Sequence, residues 1–274
     1  MISDVAIAVV TGGGHGIGRA LCRRLHRDGV HVVVADIDKA AAEAVAADVH
    51  GTAHAVDVAN ETDMAMLIER VETDTGPIDL FVSNAGVGFG DADGNAASRH
   101  GGMHQVDDRW ETCWQINVMA HVFAARALVP RMVKRGGGYL VNVASAAGLL
   151  AQIGDAAYTA TKHAAVGFAE ALAITHGDDG IRVSVVCPQA VATRMIGIED
   201  DSDAMEGGFG GNEVDGILSA DEVADCIVAG IADERFLILT HPQVSTYVQR
   251  RAADHDRWIG GMRKFRRRII AAKT

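Results

Sequence analysis

The chain has 274 residues, 49% of them hydrophobic, and a formal net charge of −11 at pH 7. That length suits one α/β domain with additions, the apolar share is ample for a core, and the negative charge argues against general nucleic-acid binding. No run approaches the roughly 18 apolar residues of a membrane span, the N-terminal apolar run reads as a strand rather than a leader, and Cys22, Cys113, Cys187 and Cys226 lie far apart, so the expectation is a cytoplasmic protein with reduced thiols and no membrane partner.

The chain opens with an apolar strand, VAIAVV, running straight into TGGGHGIG at Thr11–Gly18. A helical stretch, RALCRRLHRDG, follows, and a second apolar strand, VHVVVAD, ends on Asp36. Glycines at 12, 14, 16 and 18 let a backbone approach a pyrophosphate, and the N-terminus of the following helix supplies N–H donors and positive dipole. An acid closing the second strand accepts hydrogen bonds from ribose hydroxyls. Further strand-like runs lie at 53–57, 79–84, 138–145, 181–187 and 235–240, with helical patterns at 38–49, 61–75, 107–135, 156–178 and 219–232. Continuous apolar strands alternating with helices predict a parallel sheet covered on both faces, with ligands at the C-terminal strand ends.

In AAYTATKHAAVGF, Tyr158 and Lys162 stand four positions apart, which puts them on one helix face. Thirteen positions before the tyrosine, Ser145 closes the run GGYLVNVAS. An ammonium favours a neighbouring phenolate: at ~5 Å and an effective dielectric of ~20 the attraction is ~3 kcal/mol, or roughly two pKa units. The spacing therefore predicts a tyrosine with a lowered pKa that trades protons with an alcohol or carbonyl, and a serine hydroxyl that bonds the same oxygen.

These ordered motifs resemble the short-chain dehydrogenases/reductases, in their classical subgroup, over roughly residues 3–240. TGGGHGIG matches that family's T-G-x-x-x-G-x-G loop, Asp57-Val58 its adenine-contacting pair, and Ser83-Asn84-Ala85-Gly86 its N-N-A-G element. Asn117 in QINVMAH, Ser145, Tyr158 and Lys162 match its catalytic residues, and Pro188, Val191 and Thr193 fall in the segment that holds the nicotinamide. The resemblance implies a single doubly wound Rossmann domain with a mainly parallel seven-stranded sheet over residues 1–243. It implies a dinucleotide held by Gly12, Gly14, His15, Gly16, Ile17, Gly18, Asp36, Asp57, Val58, Asn84, Ala85, Gly86, Tyr158, Lys162, Pro188, Val191 and Thr193. It also implies that Asn117 binds a water relaying protons from Lys162, and that the chain forms a homo-oligomer, tetramer or dimer, through helices 107–135 and 156–178. Two positions depart from the pattern: Ser83 replaces an asparagine and Gln189 a glycine, and a Cβ at 189 restricts the backbone there.

Asp36 opposes an adenosine 2′-phosphate, and His15 stands where NADP-preferring members often place Arg or Lys, so the expected cofactor is NAD rather than NADP. The expected activity is interconversion of a small-molecule secondary alcohol and a ketone; an NADPH-dependent ketoreductase, for example on acyl thioesters, and a non-catalytic nucleotide-binding scaffold are the alternatives. The histidines show no zinc spacing, so no metal is predicted.

Segments 87–106 and 194–218 are glycine-rich, and the second is also acidic; they are expected to shape the substrate pocket, with Phe89, Met103, Ala147, Gln152, Met195 and Phe209 as lining candidates. The remaining segment, 244–274, predicts a basic amphipathic helical extension: Val244, Val248, Arg251, His255, Trp258, Met262, Phe265 and Ile269 fall on one stripe, weakened at Gly260-Gly261. That stripe is expected to pack near the substrate entrance or on a neighbouring subunit.

Overall fold

Seven short, mostly apolar runs form one parallel sheet: β1 (Ile7–Thr11), β2 (His31–Asp36), β3 (Thr52–Ala55), β4 (Leu80–Ser83), β5 (Gly138–Val143), β6 (Ile181–Val186) and β7 (Leu237–Ile238). They are seen in a computed structural model that describes residues 2, 4–90, 107–200 and 215–272. The order is β3-β2-β1-β4-β5-β6-β7, with every neighbouring pair parallel. β1, β4 and β5 are buried along their whole length, as strands covered on both faces must be.

Helices cover each face over its own core. On one side lie α1 (Gly16–Arg27), α2 (Lys39–Asp48) and α7 (Ala220–Ala232), packing Leu21, Leu25, Val45 and Ile227 against the sheet. On the other lie α3 (Glu61–Asp74), α5 (Ala120–Lys134) and α6 (Ala156–His176), contributing Leu67, Ile68, Leu128 and Leu172. Side-chain caps fix several helix starts: Asp38 accepts from the Ala41 N–H, Asn60 from those of Thr62 and Asp63, and Ser219 and Glu222 form a reciprocal box. Each such cap stabilises its helix by about 1 kcal/mol. The sheet reverses its order between β1 and β4, and the crevice at their C-terminal ends is where this architecture binds ligands.

Three elements differ from expectation. Strand β1 begins at Ile7 rather than residue 4, because the Asp79 carboxylate takes the N–H groups of Ala6 and Ile7. The strand expected over 235–240 shrinks to Leu237–Ile238, since Glu234 turns through φ 52° as the chain leaves α7. The helix expected over 107–135 is continuous but not uniform. It runs as α4 (Asp107–Trp114), slips to π geometry over Gln115–Met119 and continues as α5. By length and composition alone Asp108–Lys134 would pass for a membrane span, yet 56% of its most apolar window is buried inside the domain.

The C-terminal stripe is split between α8 (Gln243–Ala253) and α9 (His255–Ala272). The break falls at Asp254, which is extended at φ −156° and caps the next helix by accepting the Arg257 N–H. Gly260 and Gly261 stay inside α9. Val244 is fully buried, Trp258, Met262 and Phe265 are half-buried, and His255, counted on the same stripe, is exposed.

Candidate active site

The first βα turn is built for close approach. Gly12 adopts φ 61°, and a Cβ at Gly18 would come within 2.0 Å of the Gly12 carbonyl oxygen, so α1 can start this near β1 only with glycine there. Asn84, just past β4, donates its amide to the carbonyls of Thr11 and Gly12 and ties the two strand ends together. Together they floor a cavity of about 340 Å³ that runs from Asp36 to Lys162.

Gly12, His15, Gly16, Ile17, Asp36, Asp57, Val58, Asn84, Ala85, Gly86, Ser145, Tyr158, Lys162, Pro188, Val191 and Thr193 all face it. Gly14 and Gly18 stand behind the wall. The Gly14 N–H donates to Asp36 Oδ2 at 2.9 Å, while Asp36 Oδ1 accepts from the Asp38 N–H at 3.0 Å. A glycine-lined slot with a backbone-anchored carboxylate at one end and a tyrosine–lysine pair at the other fits a dinucleotide. Gln189 keeps an ordinary negative φ, so its Cβ leaves that backbone path unstrained.

At the far end, β5 leads into Ser145 and α6 presents Tyr158 and Lys162. Ser145 Oγ accepts the Ala147 N–H at 3.1 Å and donates to the Pro188 carbonyl at 3.4 Å. Lys162 is 2% exposed; its Nζ donates to the Val143 carbonyl at 3.1 Å and lies 5.5 Å from the centre of the Tyr158 ring. Burial pulls the Lys162 ammonium down to about 8. Burial also pushes the Tyr158 phenol up to about 12, with the neighbouring Ser145 hydroxyl working downward. The direction expected from spacing alone is therefore reversed: burial is the largest influence on the phenol, and the Asp155 carboxylate adds to it.

Asn117 sits in the π turn, fully buried, and its side chain is committed to structure. Its Oδ1 accepts the Val87 N–H, and its Nδ2 donates to the Val87 carbonyl and Thr161 Oγ1. Its backbone lies in a stretch where the helical ladder slips, with His121 close by. One turn on, His121 is buried with its ring near the Asn117 backbone, outside strict hydrogen-bond geometry; burial, then the Lys162 charge, push it down to about 3 against the upward pull of that backbone group, so it stays neutral.

Some participants lie outside the sequence motifs. Asp155 caps α6 through the Tyr158 N–H and accepts the N–H groups of Phe89 and Gly90, which pins the loop after β4 beside the tyrosine. An Asp three residues before the first helical signature was the available cue. At the rim, Asp200 accepts the Gly16 N–H at 2.9 Å and lies 2.8 Å from His15 Nδ1; Arg194 contacts His15, Glu199 and Asp200. Burial works against it, but the Gly16 N–H, His15 and Arg194 together hold the Asp200 carboxyl below its ordinary range.

Of the expected substrate-pocket residues, Ala147, Gln152 and Met195 line a second cavity beside Tyr158. Phe89 does not; it lies under the Arg109 guanidinium. Met103 and Phe209 fall outside the described residues. Among the described residues no three His, Cys, Asp or Glu side chains converge as metal ligands would.

The short chain dehydrogenase family profile matches residues 6–203. The chain is 34% identical over 241 residues to 1-deoxy-11-beta-hydroxypentalenate dehydrogenase of Streptomyces exfoliatus, covering 85% of this chain and 82% of that one. It is 35% identical over 195 residues to meso-2,3-butanediol dehydrogenase of Serratia marcescens, covering 70% and 74% respectively. The fold is similar to that of a short chain dehydrogenase/reductase from Burkholderia phymatum solved in complex with NAD, with a TM-score of 0.80 at 27% identity over 93% of this chain and 96% of that one.

Proposed function

This chain belongs to the short-chain dehydrogenase family, an oxidoreductase acting on hydroxyl or ketone substrates, and from that premise we propose that it is an NAD-preferring enzyme interconverting a secondary alcohol and a ketone. One observation carries the reading: Ser145 and Tyr158 face both the dinucleotide-shaped cavity and the second cavity beside it. A substrate oxygen between them reaches both hydroxyls while its carbon looks toward the first cavity. The nicotinamide, when bound, supplies or takes the hydride.

Ser145 orients the substrate oxygen and Tyr158 moves its proton. A phenol held at about 12 is protonated at neutral pH and is poised to donate, as ketone reduction requires. In the oxidative direction it must accept a proton, and the Lys162 ammonium within 5.5 Å of its ring stabilises the phenolate then formed. Asp155 holds the helix start that aims the tyrosine. The exposed Ile37, with Val58, offers apolar walls to an adenine. Assembly belongs to the same reading: α4 leaves Trp114 exposed and α6 leaves Ile174 exposed, apolar side chains that a second copy could cover.

NAD preference rests on Asp36. A 2′-phosphate of charge ~−2 about 4 Å from its carboxylate meets ~2 kcal/mol of repulsion even at water-like dielectric. Arg194, which contacts His15 at the rim, favours the second reading, an NADPH-dependent ketoreductase, but Glu199 and Asp200 already pair with it. The test is the ratio of kcat/KM for NAD over NADP. It should be at least about tenfold in the wild type and should shrink or invert in Asp36→Ala. A wild type that prefers NADP would contradict the role given to Asp36.

A further inference from the structure

The second cavity, about 390 Å³ in volume, falls within the ~300–1,000 Å³ of ordinary ligand pockets. Its walls are mainly apolar, with Leu150, Ile153 and Met195 of the main domain and Trp258, Met262 and Phe265 of α9 among them. Burying so much apolar surface suits a bulky, mainly apolar ligand; a small polar one would leave these walls against water.

Besides Ser145 and Tyr158, Gln152, Asp155 and Arg250 interrupt them, and three further polar residues form a linked strip. Gln189 Nε2 donates to Asp215 Oδ2 at 2.9 Å, and the Tyr247 hydroxyl donates to Asp215 Oδ1 at 2.8 Å. The three residues come from the turn after β6, the approach to α7, and α8, and all three line the cavity. Burial, then the Asp215 carboxylate, raise the Tyr247 phenol, so it remains a donor. The Tyr247 hydroxyl and one Gln189 N–H are used on the carboxylate, the Gln189 Oε1 is buried without a partner among the described residues, and each carboxylate oxygen has lone-pair capacity left. What the strip offers a ligand is a charged acceptor held in place by two segments. Desolvating a carboxylate on an apolar wall is costly unless a donor meets it. An anionic group placed against Asp215 would meet repulsion there, while Arg250, which lines the same cavity, acts on the Tyr247 side of the strip.

We infer that the substrate is a bulky, mainly apolar alcohol or ketone bearing a second hydroxyl, which donates to Asp215 while the reacting oxygen lies at Ser145 and Tyr158. This rests on the proposed chemistry at Tyr158 for where the reacting end sits. Asp215 is then a specificity-determining residue and Gln189 and Tyr247 are the groups that position it.

The experiment is calorimetric binding to the full-length enzyme saturated with NADH, using matched pairs of rigid polycyclic mono-ols and diols, androstanol and androstanediol among them. The wild type should bind at least one diol about tenfold or more tightly than its mono-ol, the strength of one hydrogen bond to a charged acceptor. Asp215→Ala should erase that discrimination while leaving mono-ol binding within about twofold; Asp215→Leu, close in size and without an acceptor, serves if the alanine variant fails to fold. Equal binding of mono-ol and diol across the pairs by the wild type, or full discrimination by the Asp215 variant, overturns the inference. Selective binding of a diol that is never oxidised with NAD would instead contradict the proposed reaction, so the two failures are distinguishable.

Discussion

Lys162 holds its charge at 2% exposure, and the price is written in its own titration. Its folded-state pKa, about 8, lies below the ordinary 10.5. Below pH 8 the fold therefore bears the full cost of the ionised side chain, and that cost vanishes as pH rises from about 8 to 10.5. Relative to Lys162→Met, which carries no such charge, the wild type should gain ~3 kcal/mol of stability between about pH 7 and pH 10.5. Urea unfolding of both proteins at the two pH values measures it; a constant difference would mean the ammonium is not desolvated as described. Activity should run the other way, with the variant impaired at every pH. The pairing of Tyr158 with Lys162 was legible from a spacing of four, because helix geometry alone puts such residues together. The sign of the tyrosine's shift was not, because burial of the phenol, its largest cause, is a property of the assembled fold.

Among elements, the turn from β1 into α1 is the most informative, since a carboxylate already occupies one of its donors. Asp200 accepts the Gly16 N–H at the helix N-terminus, where the proposed dinucleotide would put its phosphates. One negative charge about 5 Å from a phosphate opposes it by ~1 kcal/mol at water-like dielectric. Asp200→Asn should therefore tighten NAD binding roughly fivefold in a fluorescence titration; weaker binding would show that Asp200 instead supports the cofactor through His15 and Arg194. The strands and helices themselves could be read from apolar runs and periodicity, because a sheet buried on both faces leaves that mark in each strand. The contacts that could not be read join distant segments. Asp200 meets a residue 184 positions away, and Tyr247 meets one 32 positions away, with no local pattern to announce either.

For the molecule as a whole, the C-terminal helices decide how enclosed the substrate site is. Val244 is fully buried, Arg251 donates to the Leu149 carbonyl, and α9 contributes Trp258, Met262 and Phe265 to the cavity wall. Their amphipathic stripe was visible in the sequence; its break at Asp254 was not, because the pattern of apolar residues continues across it while the backbone does not. Deleting residues 244–274 should lower the melting temperature by roughly 5 °C, for the loss of a buried valine and its packing, and raise KM for bulky alcohols more than for small ones. Unchanged melting and unchanged KM would mean the helices do not wall the site. The central claim, proton transfer by Tyr158 in an NAD-linked alcohol oxidation, is tested most directly by comparing wild type and Tyr158→Phe for NADH formation on an alcohol the wild type oxidises. The account predicts that turnover falls by roughly 10² or more while NAD affinity stays within about twofold; normal turnover in the phenylalanine variant would contradict it.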